Sequence, residues 1–241
     1  MWPFNTTQMY VNYPHKTHSA EFKAFYLLQA ANWTHLLVVL SLQLEKPRKD
    51  FVELVIHHLT TLSLIFLSYR FHFTWIGVPV FWTHDISDVF LAISKILNYI
   101  DPPDPAVPIV FGIFTMVWIY TRHYLGILIL WSVATEFRTV GLWTLDWEQQ
   151  FYKCWISQYI TFGLLSIIQL LDIYWLFLIL RIAWRILTTG EQKDDREDVD
   201  EQIESEDHKS NGEISEKKYF PFFMLGSLRQ DKVIDMCCIE E

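Results

Sequence analysis

The sequence predicts an all-α protein, a polytopic bundle of transmembrane helices followed by an acidic tail. Two observations carry this. Five stretches stay mostly apolar for about 20 residues, the length a helix needs to cross a hydrocarbon core. The charge is also segregated: residues 1–190 hold 12 acidic and 12 basic side chains, and residues 191–241 hold 16 acidic and 7 basic ones, so the formal charge of −9 sits in the tail. The intermediate mean hydropathy of 0.17 averages an apolar body with a polar end.

The expected spans are residues 22–42, 52–69, 76–100, 107–131 and 158–182. Residues 1–21 have no basic start, apolar run and small-residue cleavage site, so they read as a segment ahead of the first span, not as a signal peptide. The break after the first span, Glu45-Lys46-Pro47-Arg48-Lys49-Asp50, is charged and holds a proline. Asp101-Pro102-Pro103-Asp104-Pro105 cannot continue a helix, because proline lacks the N–H and clashes with the preceding turn. The connection 135–153 carries Trp143, Trp147, Phe151 and Tyr152, aromatic side chains suited to a membrane interface.

Lysine and arginine set the orientation. Lys46, Arg48 and Lys49 follow the first span, and Arg181, Arg185, Lys193 and Arg196 follow the fifth. With five spans both groups fall on one side, which the positive-inside rule makes cytosolic. Residues 1–21, the turn near Arg70 and the 135–153 loop are then lumenal. Residues 22–187 form the membrane domain, and 188–241 a cytosolic tail. The tail is too polar between 191 and 218 to offset its ordering entropy and is expected to be disordered. Three cysteines, Cys154, Cys237 and Cys238, show neither a CxxC nor a zinc-type spacing.

Ionisable groups inside spans are costly and mark functional sites by default. Span two holds His57 and His58. Span three holds His84, Asp85, Asp88 and Lys95; span four Arg122 and His123; span five Asp172. Asp85 and Asp88, three apart, lie on one helical face with Lys95 two turns on and Ser87 between them in sequence. His57 and His58 diverge by about 100°, so one at most faces the Asp pair squarely. His57 falls about 8 Å in from the cytosolic end of its span at the helical rise. His57, His58, Asp85 and Asp88 are the candidate catalytic residues. Ser87, Lys95, Lys46, Arg48, Lys49 and Arg122 are further candidates for contact with substrate. Arg122 has two open readings, pairing with Asp172 or binding a lipid headgroup.

The stretch Val52-Glu53-Leu54-Val55-Ile56-His57-His58-Leu59-Thr60-Thr61 continues to Ser68-Tyr69, Gly77, His84-Asp85-Ile86-Ser87-Asp88, Lys95 and Asn98-Tyr99. It resembles the longevity-assurance signature of the ceramide synthases, in the TLC-domain superfamily. Leu44-Glu45-Lys46-Pro47-Arg48-Lys49-Asp50 and Trp131-Ser132-Val133-Ala134-Thr135-Glu136-Phe137-Arg138 resemble the fungal branch.

The resemblance spans roughly residues 10–185. It implies an endoplasmic-reticulum N-acyltransferase that joins a long-chain or very-long-chain fatty acyl-CoA to a sphingoid base, giving dihydroceramide or phytoceramide and CoA. It places the essential positions on His57, His58, Asp85 and Asp88. Acyl-CoA is a co-substrate and no cofactor or metal is implied. Partners would be the bilayer, a small single-span subunit and a second ceramide synthase in a homo- or hetero-dimer, with no nucleic acid. The family's domain ordinarily has six helices and this sequence supplies five, so the chain reads as an N-terminally short form.

A histidine near neutral pKa suits the deprotonation of an amine, and a histidine can alternatively take the acyl group from the thioester. Three rival readings remain. A non-catalytic, lipid-binding or regulatory TLC protein would share the fold. A di-iron desaturase would need HxxHH boxes, which the sequence lacks. A proton-coupled transporter would use the same buried His and Asp groups.

Overall fold

The computed structural model describes residues 5–44, 49–100 and 106–189. The polar tail, the last span's Lys193 and Arg196, and Lys46 and Arg48 lie outside the described residues.

Five helices are long and apolar enough to cross a membrane: Ala20–Ser41, Phe51–Arg70, Thr74–Leu97, Ala106–Thr139 and Trp155–Thr188. We label them by their helical segments. α1 is Ala20–Ser41, α2 Phe51–Arg70, α3 Thr74–Ile100, α4 Ala106–Trp118, α5 Gly126–Thr139 and α6 Trp155–Thr189. α1 opens on Ser19, whose Oγ accepts from the Phe22 N–H at 3.3 Å and satisfies one of the donors a helix start leaves free. α2 and α3 are antiparallel neighbours joined through Phe71–Phe73, where His72 takes a left-handed backbone with φ of 63°.

Three features depart from the sequence reading, the first being a fifth span that runs to Thr188, six residues past its expected end. The fourth span runs eight residues past the expected end, to Thr139, and carries a π-helical stretch, Ile119–Leu125, between α4 and α5. No residue pattern announces the extra residue that a π turn inserts, although such turns recur at functional sites. The connection after it holds a two-stranded ladder, Leu145–Asp146 (β1) antiparallel to Phe151–Tyr152 (β2), within an otherwise helical fold.

One end of the bundle is closed by a cap. The Tyr13 hydroxyl donates to the Phe71 carbonyl at 3.2 Å and accepts from the Tyr152 N–H at 2.9 Å. Thr6 donates to the Glu136 carboxylate at 2.9 Å, and Lys16 to the Gln149 carbonyl at 2.7 Å. The N-terminal segment, the α2–α3 turn and the 140–154 connection therefore share one side, as the span count requires. Lys153 is fully buried in this cap. Its amine donates to the Val140 carbonyl and lies over the rings of Tyr10, Tyr13 and Phe137. Burial lowers its pKa to about 8.

Helices in lipid gain little from apolar contact with one another, so close packing and polar links between helices hold them together. Three apolar clusters do the packing. One sits under the cap around Phe73, Val133 and Phe137. A second, around Leu54, Phe114 and Trp175, lies towards the opposite end, and a third joins α1 to α2 and α3 through Tyr26, Trp33, Ile65 and Phe81.

Candidate functional site

An apolar cavity of about 190 Å³ opens inside the bundle. Its wall takes residues from α1, α2, α3 and α6, and it extends to the cap at Phe71, Leu145, Trp147 and Tyr152. Its inner end is where the titratable groups gather: His57, His84 and Asp85 line it, with Trp33 beside them. From Phe71 to His57 is about 21 Å along α2 at the helical rise.

His57 and His58 are both buried, each 2% exposed. The His58 Nδ1 lies 2.6 Å from the Leu54 carbonyl one turn back. A carbonyl only accepts, so the proton sits on that nitrogen and the ring is tied to its own helix. His57 is held by rings instead. Trp33 and Trp175 approach it edge-on at 5.3 and 5.2 Å between centroids, and His58 at 5.8 Å. The His57 Nδ1 is buried without a hydrogen-bond partner. Trp175 is itself placed by its N–H, which donates to Asp50 at the start of α2 across 3.2 Å.

The two aspartates expected to act as a pair address different helices. Asp85 accepts from the Gln29 amide of α1 at 2.6 Å. Asp88 accepts from Arg122 Nη2 at 2.5 Å. Three residues on a helix are about 60° apart in rotation, enough to turn two side chains towards different neighbours. Among the described residues neither carboxylate accepts a hydrogen bond from an α2 imidazole. The imidazole that faces a carboxylate is His84, whose Nε2 lies 3.4 Å from Asp172 Oδ2. Its Nδ1 donates to the Val80 carbonyl at 2.8 Å.

Arg122 sits at the centre of the π segment and is 4% exposed. Every nitrogen of its guanidinium donates inside the protein. Nε reaches Ser87 Oγ at 2.7 Å, Nη1 reaches Asp172 Oδ1 at 3.0 Å, and Nη2 reaches Asp88 and, at 3.4 Å, the His84 carbonyl. The Trp118 ring lies 4.1 Å from it. Of the two open readings, pairing with Asp172 is the one the geometry realises. Arg122 and Ser87 are thus bound to each other, and neither lines the cavity. The interior polar cluster couples α3, α6 and the fourth span at one point.

Of the four candidate catalytic residues, His57 and Asp85 line the cavity, while His58 and Asp88 stand behind it. Lys95 is two turns further along α3 and Lys49 just ahead of α2, and neither lines the cavity. The sequence reading missed the contributions of Gln29, Trp33 and Trp175. A glutamine and two tryptophans in apolar spans carry no local signal, because their roles arise only when helices pack. Among the described residues, no three His, Cys, Asp or Glu side chains form a group that could hold a metal ion.

A five-span helical bundle with a charged cluster at mid-depth and an apolar cavity ending on histidine and aspartate defines a multi-pass membrane protein built around an internal apolar chamber. The sequence model of the TLC domain, shared by TRAM, LAG1 and CLN8 proteins, matches residues 1–181, and the chain belongs to this family. It is 54% identical over 207 residues to sphingosine N-acyltransferase lac1 of Schizosaccharomyces pombe, covering 86% of this chain and 53% of that protein. It is 52% identical over 210 residues to ceramide synthase LAG1 of Saccharomyces cerevisiae, covering 87% and 51%. To human ceramide synthase 5 it is 33% identical over 207 residues, covering 86% and 50%. The chain spans about half the length of the curated relatives it matches.

Proposed function

We propose that this chain carries the catalytic chamber of a ceramide synthase, joining the acyl group of a fatty acyl-CoA to the amine of a sphingoid base to give ceramide and CoA. The observation that supports this most is the cavity itself: predominantly apolar along its length, with His57 and Asp85 at the inner end. The names of the relatives supply the substrate class.

His57 is the nucleophile in this reading. Its unprotonated nitrogen adds to the thioester carbonyl, the C–S bond breaks, CoA leaves, and the acyl group stays on the imidazole. The sphingoid ammonium passes one proton to Asp85, and the resulting amine attacks that carbonyl. The amide C–N bond forms, the bond to His57 breaks, and the departing imidazole nitrogen takes the second proton from the new amide nitrogen. Asp85 receives the substrate's ammonium group. Asp88 is already matched by Arg122, whereas the hydrogen bond to Asp85 comes from a neutral amide, which leaves its charge for a cationic substrate. Asp88 ties the aspartate's helix to Arg122, and His58 packs its ring against Trp33 and His57.

The acyl chain extends from His57 towards the cap. The CoA phosphates then lie at the opposite end, on the side of Lys49, where the basic sequence that precedes α2 would attract them. The positive-inside rule makes that end cytosolic, which suits an endoplasmic-reticulum enzyme drawing acyl-CoA from the cytosol. A small single-span subunit and a dimer with another ceramide synthase are the expected protein partners.

The test is expression in a host lacking its own ceramide synthases, with ceramides read by mass spectrometry. Ceramide from the chain, and none from His57→Ala at equal abundance in the membrane, is the expected result. Ceramide formation by His57→Ala would overturn the mechanism. Silence from both the chain and an N-terminally extended form would overturn the activity and leave a lipid-binding TLC protein.

A further inference from the structure

Addition to a thioester carbonyl puts negative charge on its oxygen, and a fixed donor there lowers the barrier. Inside a helical bundle at membrane depth the backbone N–H groups beyond a helix's first turn are already bonded within their own helices. The donor must therefore be a side chain at the cavity's inner end.

Several other polar side chains line the cavity, and three of those nearer the cap are committed within the protein. Tyr26 shares its hydroxyl with Ser68 at 2.5 Å, and Ser68 also reaches the Ile65 carbonyl at 3.0 Å. Ser157 donates to the Cys154 carbonyl at 2.9 Å. Arg122 is bound to Ser87, Asp88 and Asp172 outside the cavity wall. Trp33 differs from these. It lines the cavity, is 5% exposed, and its indole N–H is buried without a hydrogen-bond partner. Its ring touches both histidines, at 5.3 Å and 61° from His57 and at 5.4 Å and 66° from His58. A buried donor left unpaired is costly and uncommon, and a bound substrate is one of the reasons such a group persists. Here the orphaned donor belongs to the ring packed on the residue that meets the carbonyl carbon.

We propose that Trp33 is a catalytic residue whose Nε1–H donates to the acyl carbonyl oxygen of the thioester and holds the oxyanion formed when His57 adds. The inference rests on the acyl-transfer reading above. The unprotonated nitrogen of His57 bonds to the carbonyl carbon, and the carbonyl π pair moves to the oxygen that Trp33 holds. The pair returns as the C–S bond breaks and CoA departs as thiolate. The proton on the second ring nitrogen passes to the thiolate, leaving a neutral acyl-imidazole and CoA thiol. The same donor serves the second addition, when the amine attacks.

Two measurements on the membrane-reconstituted protein test this. In steady-state assays Trp33→Phe, which keeps a ring against His57 and His58 and removes the N–H, lowers kcat about 100-fold, the scale for loss of one oxyanion donor, with KM for the sphingoid base little changed. In the non-reacting His57→Ala background, infrared difference spectra of bound acyl-CoA labelled with carbon-13 at the carbonyl show the C=O band at lower frequency with Trp33 than with Phe. Benzothienylalanine in place of Trp33 has the indole's shape without its N–H, and reproduces the Phe result if packing is not the cause. An unmoved band and unchanged kcat overturn the proposal. So does a band that moves instead in Thr61→Val, since Thr61 lines the same cavity one turn from His57. Absence of amide synthesis by the unaltered protein would instead sink the acyl-transfer reading, and the band shift, which needs binding alone, separates the two failures.

Discussion

Gln29 Nε2 donates to Asp85 Oδ2 across 2.6 Å, joining α1 to α3 where Asp85 faces the cavity. An amide fixed to one carboxylate oxygen sets the plane of the group, and on the proposed acyl-transfer reading the other oxygen meets the sphingoid ammonium. Hydrogen bonds to charged groups contribute about 1.5–3 kcal/mol, or roughly ten- to a hundredfold in binding.

Gln29→Leu is therefore expected to raise KM for the sphingoid base by about tenfold or more, with KM for acyl-CoA nearly unchanged. Gln29→His, which restores an N–H at similar reach, should recover part of the loss. Equal losses for both substrates would point to a displaced α1 and not to a mis-set Asp85.

The Arg122 cluster makes a prediction about stability. Arg122 lies between Asp88 and Asp172, and both carboxylates depend on its charge within the bundle. Removing one member of a buried ion cluster typically costs about 3–5 kcal/mol, because the remaining charges stay buried and unmatched. Arg122→Met is expected to lower the thermal unfolding midpoint in detergent sharply. Adding Asp88→Asn and Asp172→Asn to it should restore much of the loss, since no charge is then stranded. A triple variant no more stable than Arg122→Met would show that the guanidinium's geometry, and not its charge, holds the three helices.

The spans were legible in the sequence because lipid imposes a simple rule, about 20 apolar residues between polar breaks. The predicted starts at 22, 52 and 76 fall within two residues of the observed Ala20, Phe51 and Thr74. The motif residues were legible because ionisable groups stand out against that background. Which of them reach the cavity was not. Asp85 and Asp88 part company over 60° of helix rotation, and only the packing of α1 on one side and the fourth span on the other decides their partners. The π turn that centres Arg122 left no mark in residue types. Gln29 and Trp33 gain their roles from proximity to α2 and α3, and a span read in isolation holds no trace of that.

Gly77 tests how tightly α1 is set. A Cβ at this position on α3 would overlap the Tyr26 hydroxyl, which is bonded to Ser68 in the cavity wall. Gly77→Ala should push α1 outward and reduce activity well beyond what its helix propensity implies, since alanine is the better helix former. Tyr26→Phe removes the clashing oxygen, so the double variant is expected to recover activity relative to Gly77→Ala. A double-mutant cycle with no coupling between the two would mean that α1 adjusts freely at this contact.

The cap should weaken in acid. Burial lowers the pKa of His15 to about 4 and lowers those of His18 and His72 as well, with their mutual repulsion adding to it at His15 and His72. Lys16, Lys23 and Arg70 face the same histidines and act in the same direction. Between the ordinary histidine value of 6.5 and about 4, the opened cap binds more protons than the closed one. Stability therefore falls as pH drops through this window and is flat above it, until Lys153 enters. That amine, lowered to about 8 from 10.5, is charged in both states at neutral pH, so the cost of burying it is fully present there. The cost is relieved as pH rises from 8 towards 10.5. Hydrogen exchange of residues 5–18, corrected for intrinsic rates, should show protection lost between pH 6.5 and 4 and gained above pH 8. His15→Gln should flatten the acid limb and leave the alkaline one, whereas Lys153→Met should do the reverse. An acid limb that persists in His15→Gln would assign the effect to His18 and His72, and protection independent of pH in the unaltered protein would refute the account.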